Sequence, residues 1–250
     1  MLRFCGISAP LLLRRLSRAR VGAVVLGVAA SQLACTDMQQ FSTVAAMATF
    51  APTDLPIASA PAADFGTSQP SHRTRVTADA ILRAGDHAAA AFVIIDKLDA
   101  TIYVFAADGR LRGHSPVLLG SALGDDSVPN IGTRPLDQVQ PQERTTPAGR
   151  FVAERGRNTQ GEDVVWVDYD AAVSMHRVRA TNIKERRLER LESPSAHDNR
   201  ISYGCINIPK SFYETVVAPT FSQRSAVVYV LPEVKSLQQV FDFPVAITGS

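Results

Sequence analysis

The sequence predicts a mainly β domain with a few short helices. The runs Phe92-Val93-Ile94-Ile95-Asp96 and Thr101-Ile102-Tyr103-Val104-Phe105 are β-branched and aromatic, and a short polar turn separates them, which is a hairpin pattern. A third run over 111–119 follows the Asp108-Gly109 turn, so three consecutive strands are joined by turns and antiparallel pairing is expected. Strand and helix patterns do not alternate and no glycine-rich phosphate loop is present. That excludes a dinucleotide-binding or kinase-like fold.

The chain has 250 residues, enough for one large domain or two small ones. Arg3, Arg14, Arg15, Arg18 and Arg20 precede the first acid, Asp37, and an apolar run over 21–30 ends in small residues. This reads as a secretory signal over residues 1–35, the apolar run being short for a membrane span. Cys35 stands where a lipoprotein signal carries its cysteine, although Gln32 holds the position usually given to leucine. Lipidation there would give the chain a membrane tether.

The formal charge of +2 belongs to that segment: without residues 1–35, 21 basic side chains face 24 acidic ones. Such a balance gives no electrostatic reason to bind nucleic acid. Cys5 and Cys35 also lie in the signal, which leaves Cys205 alone in the body, where it can form no internal disulfide.

Residues 36–75 are rich in Ala, Pro, Ser and Thr without sustained periodicity, the composition of a flexible linker. A short helix is expected over 76–84 with Thr77 as its cap. After the three strands, 120–145 is long and polar, with five Gly and Pro positions between Gly124 and Pro141. A connection of that length is commonly functional. Strands are expected over 151–154, 164–169 and 172–175, with Phe151, Trp166 and Tyr169 as core or cleft packing. The charged run 182–192 reads as a helix stopped by Pro194, with Leu188 and Leu191 on one face and the arginines on a solvated one. A short helix over 209–217 with Ser211 as cap, and a last strand over 226–231 ended by Pro232, complete the body. Residues 236–250 read as a tail.

The chemistry gathers at Ser202-Tyr203-Gly204-Cys205-Ile206-Asn207. Gly204 permits a tight turn that presents the thiol, and a nucleophilic cysteine needs a base within reach. His176 closes a strand 29 positions upstream. His197, eight residues before the cysteine, is a rival base in a polar stretch, and His114 reads as structural.

These residues resemble the YkuD-type L,D-transpeptidases of bacterial cell walls. That family's signature is a histidine ending a strand, then Ser-His-Gly-Cys, a hydrophobic residue, and Asn or Arg. The segment Thr146-Pro147-Ala148-Gly149-Arg150-Phe151 resembles the family's entry into its catalytic sheet. Two departures stand out: Tyr203 replaces the second histidine, and Arg177 replaces a glycine after the first.

The resemblance implies an L,D-transpeptidase-type β-sandwich or barrel over 76–235. It implies Cys205 as nucleophile, His176 as general base, and Ser202, Tyr203, Gly204 and Asn207 as oxyanion-hole or binding residues. The implied reaction is attack on a peptidoglycan tetrapeptide stem, release of D-alanine, and transfer of the acyl group to an amine. Trimming with water on the same fold, or a domain that only binds peptidoglycan, are the alternatives. No metal or organic cofactor is implied, and the implied location is the periplasm or cell envelope.

Overall fold

The computed structural model describes residues 61–244; the expected signal and most of the expected linker lie outside them. The strands are β1 (Phe92–Asp96), β2 (Thr101–Phe105), β3 (Leu111–Pro116), β4 (Leu119–Gly120), β5 (Gly149–Arg157), β6 (Asp163–Asp168), β7 (Val173–Arg177), β8 (Arg200–Ser202), β9 (Ile206–Ile208) and β10 (Ala226–Val230). Eight of them form one sheet in the order β3-β2-β1-β10-β5-β6-β7-β9, and β4 pairs with β8 separately. The fold class is mainly β, as the sequence predicts.

The expected antiparallel arrangement holds for the hairpins and for the pairing of β10 with β5, but not throughout. β1 pairs in parallel with β10, β7 with β9, and β4 with β8. Parallel partners need long crossovers, so no local turn signal announces them. The third run also divides. β3 stops at Pro116, which has no N–H for the ladder, and the chain leaves as β4 for β8.

The centre of the sheet is covered on both faces, which is why β1 and β10 are buried throughout rather than alternating. Val93, Ile95, Val104, Val165, Met175, Ile206 and Val228 pack on one side with Tyr213 and Val217. Phe92, Ile94, Phe105 and Tyr229 pack on the other against Ala78 and Ile81 of helix α1 (His72–Ala84) and against Leu237 and Phe241. Each such large side chain contributes about 1.5–3 kcal/mol on burial.

Three boundaries differ from expectation. Helix α1 starts at His72, capped by Ser71, whose Oγ accepts from the Thr74 amide at 3.1 Å and donates to Asp96 Oδ2 at 2.6 Å. Thr77 is buried inside the helix rather than capping it. The described end of the expected linker is packed as well: Asp64 bridges to Arg110 and Phe65 is buried. At the other end, Ser236 and Gln239 form a capping box, and Phe241 and Phe243 are buried, so the start of the expected tail is folded.

The charged run forms a 3₁₀ turn over Ile183–Glu185 and then helix α2 (Arg187–Glu192), broken at Arg186 with φ 50°. Leu191 is buried but Leu188 is exposed. The expected helix after the cysteine begins as α3 (Lys210–Phe212), widens into a π-helical stretch over Tyr213–Val217 and ends as α4 (Ala218–Thr220). Ser211 does not cap it; Pro209 precedes its first turn.

Candidate functional site

Alternation along β5, β6, β7 and β9 sends one set of side chains into the core and the other to the opposite face. Ala153, Val165, Met175 and Ile206 face the core. Val152, Glu154, Trp166, Ser174, His176, Cys205 and Asn207 therefore share the outer face. Trp166 pairs with Ser174 across β6 and β7, and His176 pairs with Asn207 across β7 and β9. Ser174 Oγ lies 3.7 Å from Cys205 Sγ, and the thiol also reaches the Ala172 carbonyl at 3.5 Å. His176 is two residues past Ser174, diagonal to Cys205 in the ladder. Diagonal neighbours in a sheet lie about 7–8 Å apart at Cα, within reach of an imidazole and a thiol.

The structure thus places the cysteine and histidine picked out from the sequence on one face, at the ends of paired strands. His197, the rival base, is exposed on the 3₁₀ turn Ala196–Asn199. His114 stacks on Tyr103 with ring centroids 5.7 Å apart, a packing role.

The imidazole has its orienting partner: Nδ1 lies 2.8 Å from the Arg177 carbonyl. With Nδ1–H donating there, Nε2 carries the lone pair. Burial pushes the His176 pKa down to about 4, against the pull of the Arg177 carbonyl; the Arg179 and Arg187 charges lower it further and Glu162 opposes them. At that value the ring is neutral at pH 7. Arg177 itself points away on the other side of the strand. It pairs with Asp163 at 2.9 Å and Glu214 at 3.1 Å, over the Tyr213 ring. The residue that departs from the familiar glycine is therefore occupied elsewhere.

The turn around Cys205 is held from several directions. Gly204 has φ +124°, and a Cβ there would stand 2.7 Å from the Thr145 carbonyl oxygen, so only glycine fits. The Gly204 amide donates to Ser202 Oγ at 3.0 Å, and that hydroxyl donates to the Cys205 carbonyl at 2.6 Å. The expectation that this amide serves an oxyanion hole is corrected: Ser202 already engages it. Asn207 is buried and donates through Nδ2 to the Cys205 carbonyl at 3.2 Å, a stiffening of the turn. Thr146 Oγ1 accepts from the Gly120 amide and donates to the Gly204 carbonyl, each at 2.9 Å.

Two segments border this face. The long connection over 121–145 carries Arg144, whose guanidinium lies 4.0 Å from the centroid of the Tyr203 ring. Tyr203 is 40% exposed, so its ring forms part of the rim. On the other side, α2 brings Arg187 to Asn207, with Nη1 donating to Oδ1 at 2.5 Å. This contact corrects the reading of the charged run as a fully solvated face. Sequence reasoning also missed Ser174 as the thiol's neighbour, although its i, i+2 spacing from His176 in a strand was the available signal. Among the described residues, no group of three His, Cys, Asp or Glu is placed to hold a metal ion, and no helix is long and apolar enough to cross a membrane.

No protein-family model matches the chain, and no curated protein matches it in sequence. Solved structures do show similarity. One is the helical cell shape determining protein Pgp2 from Campylobacter jejuni, at 17% identity and TM-score 0.37 over 59% of this chain and 49% of that one. Another is an L,D-transpeptidase from Mycobacterium smegmatis, at 16% identity and TM-score 0.34 over 56% of this chain and 58% of that one. A third is L,D-transpeptidase 3 from Mycobacterium tuberculosis, at 16% identity and TM-score 0.36 over 58% of this chain and 60% of that one. The chain spans about half the length of the first of these.

Proposed function

We propose that this protein is a cysteine-dependent L,D-transpeptidase acting on peptidoglycan stem peptides. The observation that carries the reading is the thiol of Cys205 on a rigidly held glycine turn, on the same sheet face as a neutral, oriented His176. A thiol with a base on the same face is what nucleophilic acyl transfer needs.

In this reading His176 Nε2 takes the Sγ proton as the sulfur attacks the carbonyl carbon at the L-centre of meso-diaminopimelate. The oxyanion is met by backbone amide donors of the cysteine turn, Tyr203 among them. The tetrahedral adduct collapses, the imidazolium returns its proton to the leaving nitrogen, and D-alanine departs from a thioester on Cys205. An amine of a second stem then attacks the thioester, His176 removes its proton, and the thiol is restored; with water as acceptor the product is a trimmed stem. Trp166 and Tyr169, whose rings meet edge to face at 5.1 Å, extend the same face as a floor for the stem. No metal or organic cofactor enters these steps. The reading also makes residues 1–35 an export signal, with Cys35 the position a lipid tether would take, and the periplasm or cell envelope the place of action.

The test is mass spectrometry of the exported chain incubated with a disaccharide-tetrapeptide, beside Cys205→Ala. We expect D-alanine release and a thioester adduct on the Cys205 peptide, both lost in the variant. Substrate binding by a folded, reduced protein without adduct or release would overturn the enzymatic reading in favour of a binding domain.

A further inference from the structure

We propose that Arg187, delivered by the charged segment between β7 and β8, is a positioning residue that holds the cysteine turn and places its charge beside the base. The inference rests on the reading of Cys205 and His176 as nucleophile and base.

The geometry is a chain of hydrogen bonds. Arg187 Nη1 donates to Asn207 Oδ1 at 2.5 Å, and Asn207 Nδ2 donates to the Cys205 carbonyl at 3.2 Å. An amide side chain whose oxygen is held by a guanidinium has its nitrogen directed with it, so Arg187 fixes which group Asn207 offers to the nucleophile's backbone. Asn207 is also the direct ladder partner of His176. The same guanidinium therefore reaches both halves of the pair through one residue.

The segment that carries Arg187 is built to hold it still. Arg187 Nε is paired with Glu185 at 2.5 Å, and its side chain is only 15% exposed. Arg190 Nε donates to the Glu185 carbonyl at 2.8 Å and its Nη1 to the Asp198 carbonyl at 2.7 Å, tying both ends of the segment together. A solvated arginine would need none of this.

The charged groups around His176 can be taken element by element. On its own strand Arg177 faces the other side and is neutralised by Asp163 and Glu214. Past the strand, Arg179 pairs with Glu162, which stands just before β6. From the intervening segment come Arg187 and Glu185, and from the cysteine strand the neutral amide of Asn207. Arg179 and Arg187 both add to burial in keeping the imidazole unprotonated, with the Arg177 carbonyl and Glu162 opposing. Of the two arginines, Arg187 is the one that also bonds the cysteine's own strand.

The experiment uses the folded chain without substrate, so its result stands whether or not D-alanine is released. The His176 imidazole is titrated by NMR, assigned with His176→Gln, in the parent protein, Arg187→Gln and Arg187→Lys. Amide hydrogen exchange over 203–207 is followed in parallel. Arg187→Gln is expected to raise the His176 midpoint by roughly half a unit to one unit, because a nearby positive charge is lost. It should also speed exchange in the turn by about tenfold, the loss of one charge-assisted hydrogen bond. Arg187→Lys keeps the charge and loses the planar fork, so its midpoint stays near the parent's while exchange still quickens. Should Arg187→Gln fail to fold, Arg187→Met, which keeps the aliphatic stem, takes its place. An unchanged midpoint and unchanged exchange in the charge-removing variant would overturn the proposal and return the segment to a solvated surface.

Discussion

At the scale of single residues, Thr146 does more than its place in a familiar-looking segment announces. Its hydroxyl is buried, takes the Gly120 N–H and gives its proton to the Gly204 carbonyl. Thr146→Val preserves shape but strands both backbone groups, each at a cost of about 1–3 kcal/mol. Urea denaturation should show that loss for Thr146→Val and a much smaller one for Thr146→Ser, which retains the hydroxyl. Equal stability of Thr146→Val and the parent would mean that the hydroxyl does not hold the turn. Cys205, His176 and Gly204 were legible in the sequence because their chemistry permits few substitutes. Arg187 was not, since a run of Arg and Glu reads the same whether it is solvated or folded back onto Asn207. The engagement of the Gly204 amide by Ser202 was equally hidden, because a serine two residues before a glycine fits many turns.

At the scale of elements, hairpins were legible and crossovers were not. β1 and β2 have the expected bounds, because their apolar runs end at polar turn residues that any pairing would respect. The insertion of β10 between β1 and β5 pairs residues 73 to 135 positions apart, which local pattern cannot show. What locks those distant elements is an ionic cluster just past β1. Lys97 is fully buried, paired with Asp125 at 2.7 Å and Glu233 at 3.3 Å, and it donates to the carbonyls of Gly124 at 2.5 Å and Thr146 at 2.9 Å. Arg200, at the start of β8, closes the cluster on Glu233 and on the Lys97 carbonyl. Lys97→Met removes one cation and leaves carboxylates buried, a change that costs about 3–5 kcal/mol. A fall in Tm on the order of 10 °C is expected by calorimetry, with part of it recovered in Lys97→Met combined with Asp125→Asn. A Tm within two or three degrees of the parent's would show the cluster to be dispensable.

For the whole molecule, the same groups make acid the direction of weakness. Asp125 accepts from the amides of Glu233, Val234 and Lys235 at 2.8, 2.8 and 2.6 Å. Although burial raises its pKa, the Lys97 bond and these amides win and hold it down to about 2, below its usual 3.8. A depressed carboxylate contributes stability above its unfolded pKa and loses it as pH falls toward the folded one, here between about 4 and 2. His176 acts in the same sense over a different window. Its folded pKa, about 4, lies below the usual 6.5, so the unfolded chain binds the proton first and stability declines as pH falls from 6.5 to 4. Denaturant unfolding at pH 7, 5 and 3 should therefore give steadily lower midpoints. His176→Gln should remove most of the step from 7 to 5 and part of the step from 5 to 3, whereas Asp125→Asn should flatten only the step from 5 to 3. A His176→Gln protein that keeps the full upper step would show that the imidazole is not held neutral by its surroundings. The pairing of base and thiol would then have to be sought as an ion pair formed in advance rather than as a proton transfer during attack.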